Sequence, residues 1–135
     1  MEKQGEGSIL NVASSAGLLP AGPYMATYYA TKSYVTSLTR AVALELKEKK
    51  SNVYVGALCP GPVDTEFNKV ANVEFAIPSI TPTYCASYAI RKMEKRKIVI
   101  VPKNKMKVLA FISRVLPQSL VIRMTARQQK KKRNW

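Results

Sequence analysis

The sequence predicts an α/β fold built on a parallel sheet of about three strands with flanking helices, and three observations predict it. Residues 8–13, 53–59 and 97–102 are short apolar runs without the alternation of a half-solvated strand, so they read as strands buried on both faces. Longer segments with helical periodicity separate and follow them. Small or turn-forming residues stand where the first two runs stop, Ser14-Ser15-Ala16-Gly17 after the first and Pro60-Gly61-Pro62 after the second. Three strands form about half of a doubly wound sheet. The few residues before the first run would not cover its outer edge, so the expectation is the C-terminal half of a larger domain.

Taken in order, Met1-Glu2-Lys3 reads as the end of a preceding helix, and Ser8-Ile9-Leu10-Asn11-Val12-Ala13 is the first strand. Pro20-Ala21-Gly22-Pro23 breaks the chain, with Pro23 suited to open a helix. That helix is expected over 24–49, because Val35, Leu38, Val42 and Leu46 recur at three- and four-residue steps. The run Lys49-Lys50-Ser51-Asn52 suits its C-terminus. After the second strand, residues 64–82 read mainly as a flap. A helix over 83–96 and the third strand follow. Two apolar-basic helices, 106–116 and 119–127, are separated by Pro117, and a solvated basic tail ends the chain. The expected division is 1–102 for the half domain, with a catalytic segment over 8–65, and 103–135 for a basic, apolar helical extension.

Composition removes several function classes. The 135 residues are 47% hydrophobic and 22% charged, which suits a folded domain rather than a disordered chain. Histidine is absent, so Ser-His-Asp and Cys-His catalysis and every His-based metal site are excluded, and no metal is expected. Cys59 and Cys85 lack CxxC spacing and read as reduced cytosolic thiols. No apolar run reaches the length of a membrane span. The formal charge of +14 is unevenly placed. Seven basic and seven acidic residues cancel through Ile90, whereas fifteen Lys or Arg stand against Glu94 alone from Arg91 onward. The aromatics do not interleave with these basic residues, so nucleic acid is not expected as a partner.

The chemistry concentrates in three motifs. Tyr28-Tyr29-Ala30-Thr31-Lys32 places a phenol and an ammonium four residues apart, on one face of the helix. A phenol is a poor acid-base catalyst at neutral pH. An ammonium about 4 Å from a phenolate stabilises it by about 4 kcal/mol at an effective dielectric near 20. Asn11-Val12-Ala13-Ser14-Ser15-Ala16-Gly17 puts a hydroxyl at the end of the first strand, where it could hold a substrate oxygen. The loop Pro60-Gly61-Pro62-Val63-Asp64-Thr65 ends the second strand.

With these three motifs in this order, the sequence resembles the classical short-chain dehydrogenase/reductase family, over its C-terminal half only. It looks loosely like the branch of hydroxysteroid dehydrogenases and 3-oxoacyl reductases. The resemblance implies a Rossmann-like three-layer sheet, and Ser14, Tyr28 and Lys32 as catalytic residues. It also implies cofactor contacts from Tyr28, Lys32, Pro60, Gly61, Val63 and Thr65. The cofactor would be NAD(P)(H), with NADP weighed ahead of NAD, and the reaction a carbonyl–alcohol interconversion by hydride transfer. The substrate would be a small carbonyl or alcohol compound, with a lipid-like one left open, and the full-length enzyme a homo-oligomer in the cytoplasm. The family's Thr-Gly-x-x-x-Gly-x-Gly phosphate loop does not occur in these 135 residues, so the chain alone is expected to be inactive.

Plainer readings stand beside these. Tyr28 and Lys32 also fit an exposed helical pair, Ser14 and Ser15 loop or capping residues, and Pro60-Gly61-Pro62 a strand-ending turn. Ser14 is preferred to Ser15 for its three-residue distance from Gly17. Tyr24 and Tyr29 read as packing or substrate-wall residues. Two other functions remain open, a non-catalytic truncated relative and a basic module on an anionic membrane surface. In the latter, the extension would make the protein membrane-peripheral; otherwise its helices cover the end of the sheet.

Overall fold

The computed structural model describes residues 1–66 and 78–132, without the side chains of residues 131 and 132. Strands β1 (Gly7–Val12), β2 (Val53–Leu58) and β3 (Val99–Ile100) form a parallel sheet in the order β1-β2-β3. Helix α1 (Ala26–Glu48) joins the first two strands, and α2 (Pro82–Glu94) precedes the third. Helices α3 (Asn104–Val115) and α4 (Gln118–Lys132) follow it. Residues 67–77, most of the expected flap, lie outside the described residues.

β2 is the central strand, and all six of its residues are buried, which its unbroken apolar run requires. Successive side chains leave it in opposite directions. Ala57 and Cys59 join Ala13, Leu18, Val101 and Met106 in one core, against which Val35 of α1 and Leu109 of α3 pack. Leu58 joins Ile100, Cys85 and Ala89 of α2 in a second core on the other face. The result is three layers, with α1 and α3 on one side of the sheet and α2 on the other. β1 lies at the edge, where Ile9 and Val12 remain exposed. Inside, the Asn11 amide donates to the buried Thr39 hydroxyl at 2.9 Å and fastens this strand to α1.

Several elements differ from expectation: no residue of β1 is buried, although its apolar run reads as buried on both faces, because the strand lies at the sheet edge. β3 spans two residues rather than six, although Ala57 and Cys59 still donate to the carbonyls of Ile98 and Ile100 at 2.7 Å each. The partner strand ends at Leu58, and Pro102 has no amide hydrogen to extend the pairing. Conversely, α4 continues to Lys132, through residues expected as a solvated tail. Gln, Lys and Arg are good helix formers, and Gln129 is buried against α1, so the helix does not fray at Arg127. Residues 2–4 form a 3-10 turn where a helix end was expected.

Helix α1 stops by backbone geometry. The amide of Ser51 donates to the Leu46 carbonyl and that of Lys50 to the Lys47 carbonyl, while Lys50 takes a left-handed φ of 53°. Arg96 repeats this arrangement after α2 with a φ of 51°, and its guanidinium also bonds the Asn52 and Val53 carbonyls. A side chain in this conformation costs about 1–2 kcal/mol, a cost glycine does not incur. Lys50→Gly should therefore raise stability by about 1 kcal/mol in denaturant unfolding, whereas Arg96→Gly should gain less because it also removes two hydrogen bonds.

Cys59 sits at 0% exposure, with its sulfur 3.8 Å from the Thr36 hydroxyl oxygen. Burial pushes its pKa above the ordinary 9.0, and the hydrogen bond it shares with Thr36, the nearby Arg40 charge and the Ser14 backbone oppose this only in part. The stabilising contribution is intact below 9.0, where the thiol is protonated both folded and unfolded. It is lost as pH rises past that value toward the higher folded one. Thermal unfolding followed across this range should show an alkaline fall in midpoint that is shallower for Cys59→Ala.

Candidate active site

The site forms at the C-terminal edge of the sheet. Parallel pairing carries β1 to Ala13, whose amide donates to the Leu58 carbonyl at 2.8 Å. Ser14 follows in an extended conformation, and its side-chain oxygen accepts from the Ala16 amide at 3.1 Å. This caps a 3-10 turn over Ser15–Leu18, and Ser14 keeps its hydroxyl hydrogen for donation. The Ser15 amide donates to the Pro60 carbonyl at 2.8 Å, so the loops after β1 and β2 are joined directly.

Gly17 explains the spacing of its motif. A Cβ at this position would collide with the Lys32 carbonyl and come within 2.6 Å of the Thr36 hydroxyl oxygen. Only glycine lets the turn press on the backbone of α1. That contact sets the height of α1 against the sheet, and Lys32 then reaches back. Its ammonium donates to the Val12 carbonyl at 3.2 Å and lies 5.8 Å from the Tyr28 ring centroid. Tyr28 is half-buried on the same face. Thus one cation connects the helix phenol to the strand end two residues before Ser14.

The second loop is pinned as well. The Asp64 amide donates to the Ile80 carbonyl at 2.9 Å, and the Ile80 amide to the Pro62 carbonyl at 3.0 Å, which fixes Val63. A Cβ on Gly61 would stand 3.2 Å from Met106 of α3, so this helix lies close over the loop. Thr65 is exposed two residues beyond Val63. These placements suit the nicotinamide end of a dinucleotide, with a cation and a backbone-lined loop side by side. Nothing in the 135 residues supplies a glycine-rich cradle for its pyrophosphate. Among the described residues no group of three His, Cys, Asp or Glu could hold a metal ion.

Tyr29 has a different setting from its neighbour. Its hydroxyl accepts from the Gln129 amide at 2.8 Å, in a buried contact 100 residues apart in sequence. Burial pushes its pKa up, and the Gln129 bond offsets this only in part, so it holds its proton more tightly than an ordinary tyrosine. Its ring meets that of Tyr28 edge-on at 6.3 Å. On its other side is a groove of about 250 Å³, lined by Pro20, Gly22, Pro23, Ala26, Ala30 and Ser33 as well. Tyr28 and Lys32 are not in that lining. Lys130 lies over the Tyr24 ring at 5.5 Å, so α4 closes on this region through two residues. The sequence singled out Tyr29 as a packing or substrate-wall residue and did not single out Gln129. Its only signal was the Val121, Thr125, Gln129 spacing on one helix face.

Residues 1–74 match the family model described as short chain dehydrogenase. A D-beta-hydroxybutyrate dehydrogenase of Rhizobium meliloti (strain 1021) is 46% identical over 65 residues, which cover 48% of this chain and 24% of that protein. Dehydrogenase/reductase SDR family member 4 of Bos taurus is 36% identical over 95 residues, covering 70% of this chain and 32% of that protein. A solved short-chain dehydrogenase from Sphingobium yanoikuyae, in complex with NADPH, superposes with a TM-score of 0.65 at 25% identity. That match covers 84% of this chain and 45% of the other. The chain spans about a quarter to a third of the length of these curated relatives.

The contact between Gly17 and α1 yields a direct test. Gly17→Ala must push the turn off the helix backbone, and should cost about 1–3 kcal/mol, the usual cost of overpacking. Urea unfolding measures it as a lowered midpoint at unchanged slope.

Proposed function

The chain belongs to the short chain dehydrogenase family, and on that premise we propose that it carries the catalytic end of an NAD(P)-dependent oxidoreductase. The reaction is the interconversion of a carbonyl and a secondary alcohol. One observation carries this reading: the Lys32 ammonium bonds the Val12 carbonyl at 3.2 Å while facing Tyr28, which gathers phenol, cation and Ser14 at one strand end.

In the reductive direction Tyr28 gives its hydroxyl proton to the substrate oxygen, and in the oxidative direction it takes that proton back. Lys32, held at the sheet edge, favours the phenolate that remains. Ser14 donates a hydrogen bond to the same substrate oxygen and fixes its position. Tyr28, Lys32, Pro60, Gly61, Val63 and Thr65 would hold the nicotinamide end of the cofactor. When bound, the nicotinamide supplies hydride to the carbonyl carbon or accepts it from the alcohol. The NADPH in the Sphingobium protein supports a nicotinamide dinucleotide, NAD(P)(H), as the cofactor. The pyrophosphate and adenosine contacts belong, in this reading, to a part of the enzyme outside these 135 residues. The small fraction of each relative that the match covers supports this. The hydroxybutyrate in the Rhizobium protein's name supports a small hydroxy or oxo compound as substrate.

In a complete enzyme containing this segment, Tyr28→Phe should lower carbonyl reduction by about 10²-fold or more, the low end for loss of a general acid. NADPH binding, read by fluorescence titration, should weaken far less than turnover, because the other cofactor-facing residues remain. Turnover by the Phe variant close to that of the parent would remove Tyr28 from this role.

A further inference from the structure

Helix α3 is apolar on two opposite sides. Met106, Leu109 and Ala110 pack against the sheet core. Steps of three and four residues bring Val108, Phe111, Ile112 and Val115 together on the side turned away. All four are exposed, Phe111 and Val115 at 69% and 72%. A surface helix ordinarily gives this side to charged residues. Here the charges stand on the flanks of the stripe, Lys105 along one shoulder and Lys107 and Arg114 along the other.

Helix α4 continues the pattern with the proportions reversed. Its inner face is Val121, Thr125 and Gln129, all buried. Its outer face carries Arg123 and Arg127, beside the exposed Leu120 and Met124. No acidic residue occurs after Glu94, whereas thirteen Lys or Arg do. An apolar stripe with basic shoulders fits a surface that is apolar within and anionic at its boundary. Pairing of two copies through this face would set like charges against like. Among the described residues no helix is long and apolar enough to cross a membrane.

We propose that the outer faces of α3 and α4 dock on the surface of an anionic lipid bilayer, with Phe111 and Val115 entering the boundary between headgroups and acyl chains and the flanking basic residues meeting lipid phosphates. The interaction is parallel to the surface and depends on both components. Apolar contact alone would give equal affinity for neutral lipid. Charge alone would leave Phe111 and Val115 without effect.

Co-sedimentation of the full chain tests this, using vesicles of phosphatidylcholine alone and of phosphatidylcholine mixed with phosphatidylglycerol. The chain should pellet with the mixed vesicles, poorly with the neutral ones, and less as salt is raised. Phe111→Ser with Val115→Ser should weaken binding by about tenfold or more; both side chains are exposed, and an unchanged circular dichroism melt verifies the fold. Arg123→Glu with Arg127→Glu should weaken it through charge alone. Equal pelleting with neutral vesicles, or undiminished binding by both double variants, would overturn the proposal. So would a dimer in vesicle-free buffer that Phe111→Ser with Val115→Ser dissociates, because the stripe would then be an interface between copies.

Discussion

The close approach of the turn after β1 to the backbone of α1 is the constraint on which the site depends. At Gly17 the turn lies against the Lys32 carbonyl with no room for a side chain. The helix is thereby held at one height and one rotation. From there the Lys32 ammonium spans to the Val12 carbonyl, and Tyr28, one helical turn earlier, faces the same strand end. Thr36 reinforces the contact by donating to the Lys32 carbonyl at 2.8 Å, and Thr39 does the same one turn on, to Val35. Two buried threonines in a helix interior are otherwise an odd choice, since their hydroxyls compete for backbone partners. Here they turn that competition inward, and the helix can lie close to small residues on the sheet.

Packing, capping and chemistry share residues in this arrangement. Ser14 caps a turn and still has a proton to give, and Ser15 joins that turn to the loop after β2 through Pro60. Lys32 is both a tie between layers and the cation beside the phenol. The members of the candidate site are also structural members, so a change in one is felt as a change in stability as well as in geometry.

Much of this was legible in the sequence, for physical reasons. A parallel strand buried on both faces must be apolar throughout, as residues 53–58 are, and it announces itself without periodicity. Small residues after a strand mark a loop, and the Ser14-to-Gly17 spacing singled out Ser14, but the close approach to α1 depends on tertiary packing that the residues themselves do not encode locally. The length of β3 was hidden, because it is set by where its neighbour ends rather than by its own residues. Residues 130–132 read as tail because their charge suggests solvent, whereas their helical propensity and the burial of the preceding Gln129 decide the outcome. The two-sided character of α3 could be counted in sequence as apolar content. Which side faced inward required Met106 to be seen in the core beneath Gly61.

The bond between Gln129 and Tyr29 joins residues separated by 100 positions, and synthesis reaches them at different times. At about 5–20 residues per second, about 5–20 seconds pass between the addition of the tyrosine and that of its partner. During that interval β1, α1 and β2 can already pair, since their contacts lie within the first half of the chain. The groove beside Tyr29 lacks its last support until α4 has left the ribosome. A nascent chain stalled before residue 129 therefore can pair α1 with the sheet while Tyr29 still lacks its hydrogen-bond partner.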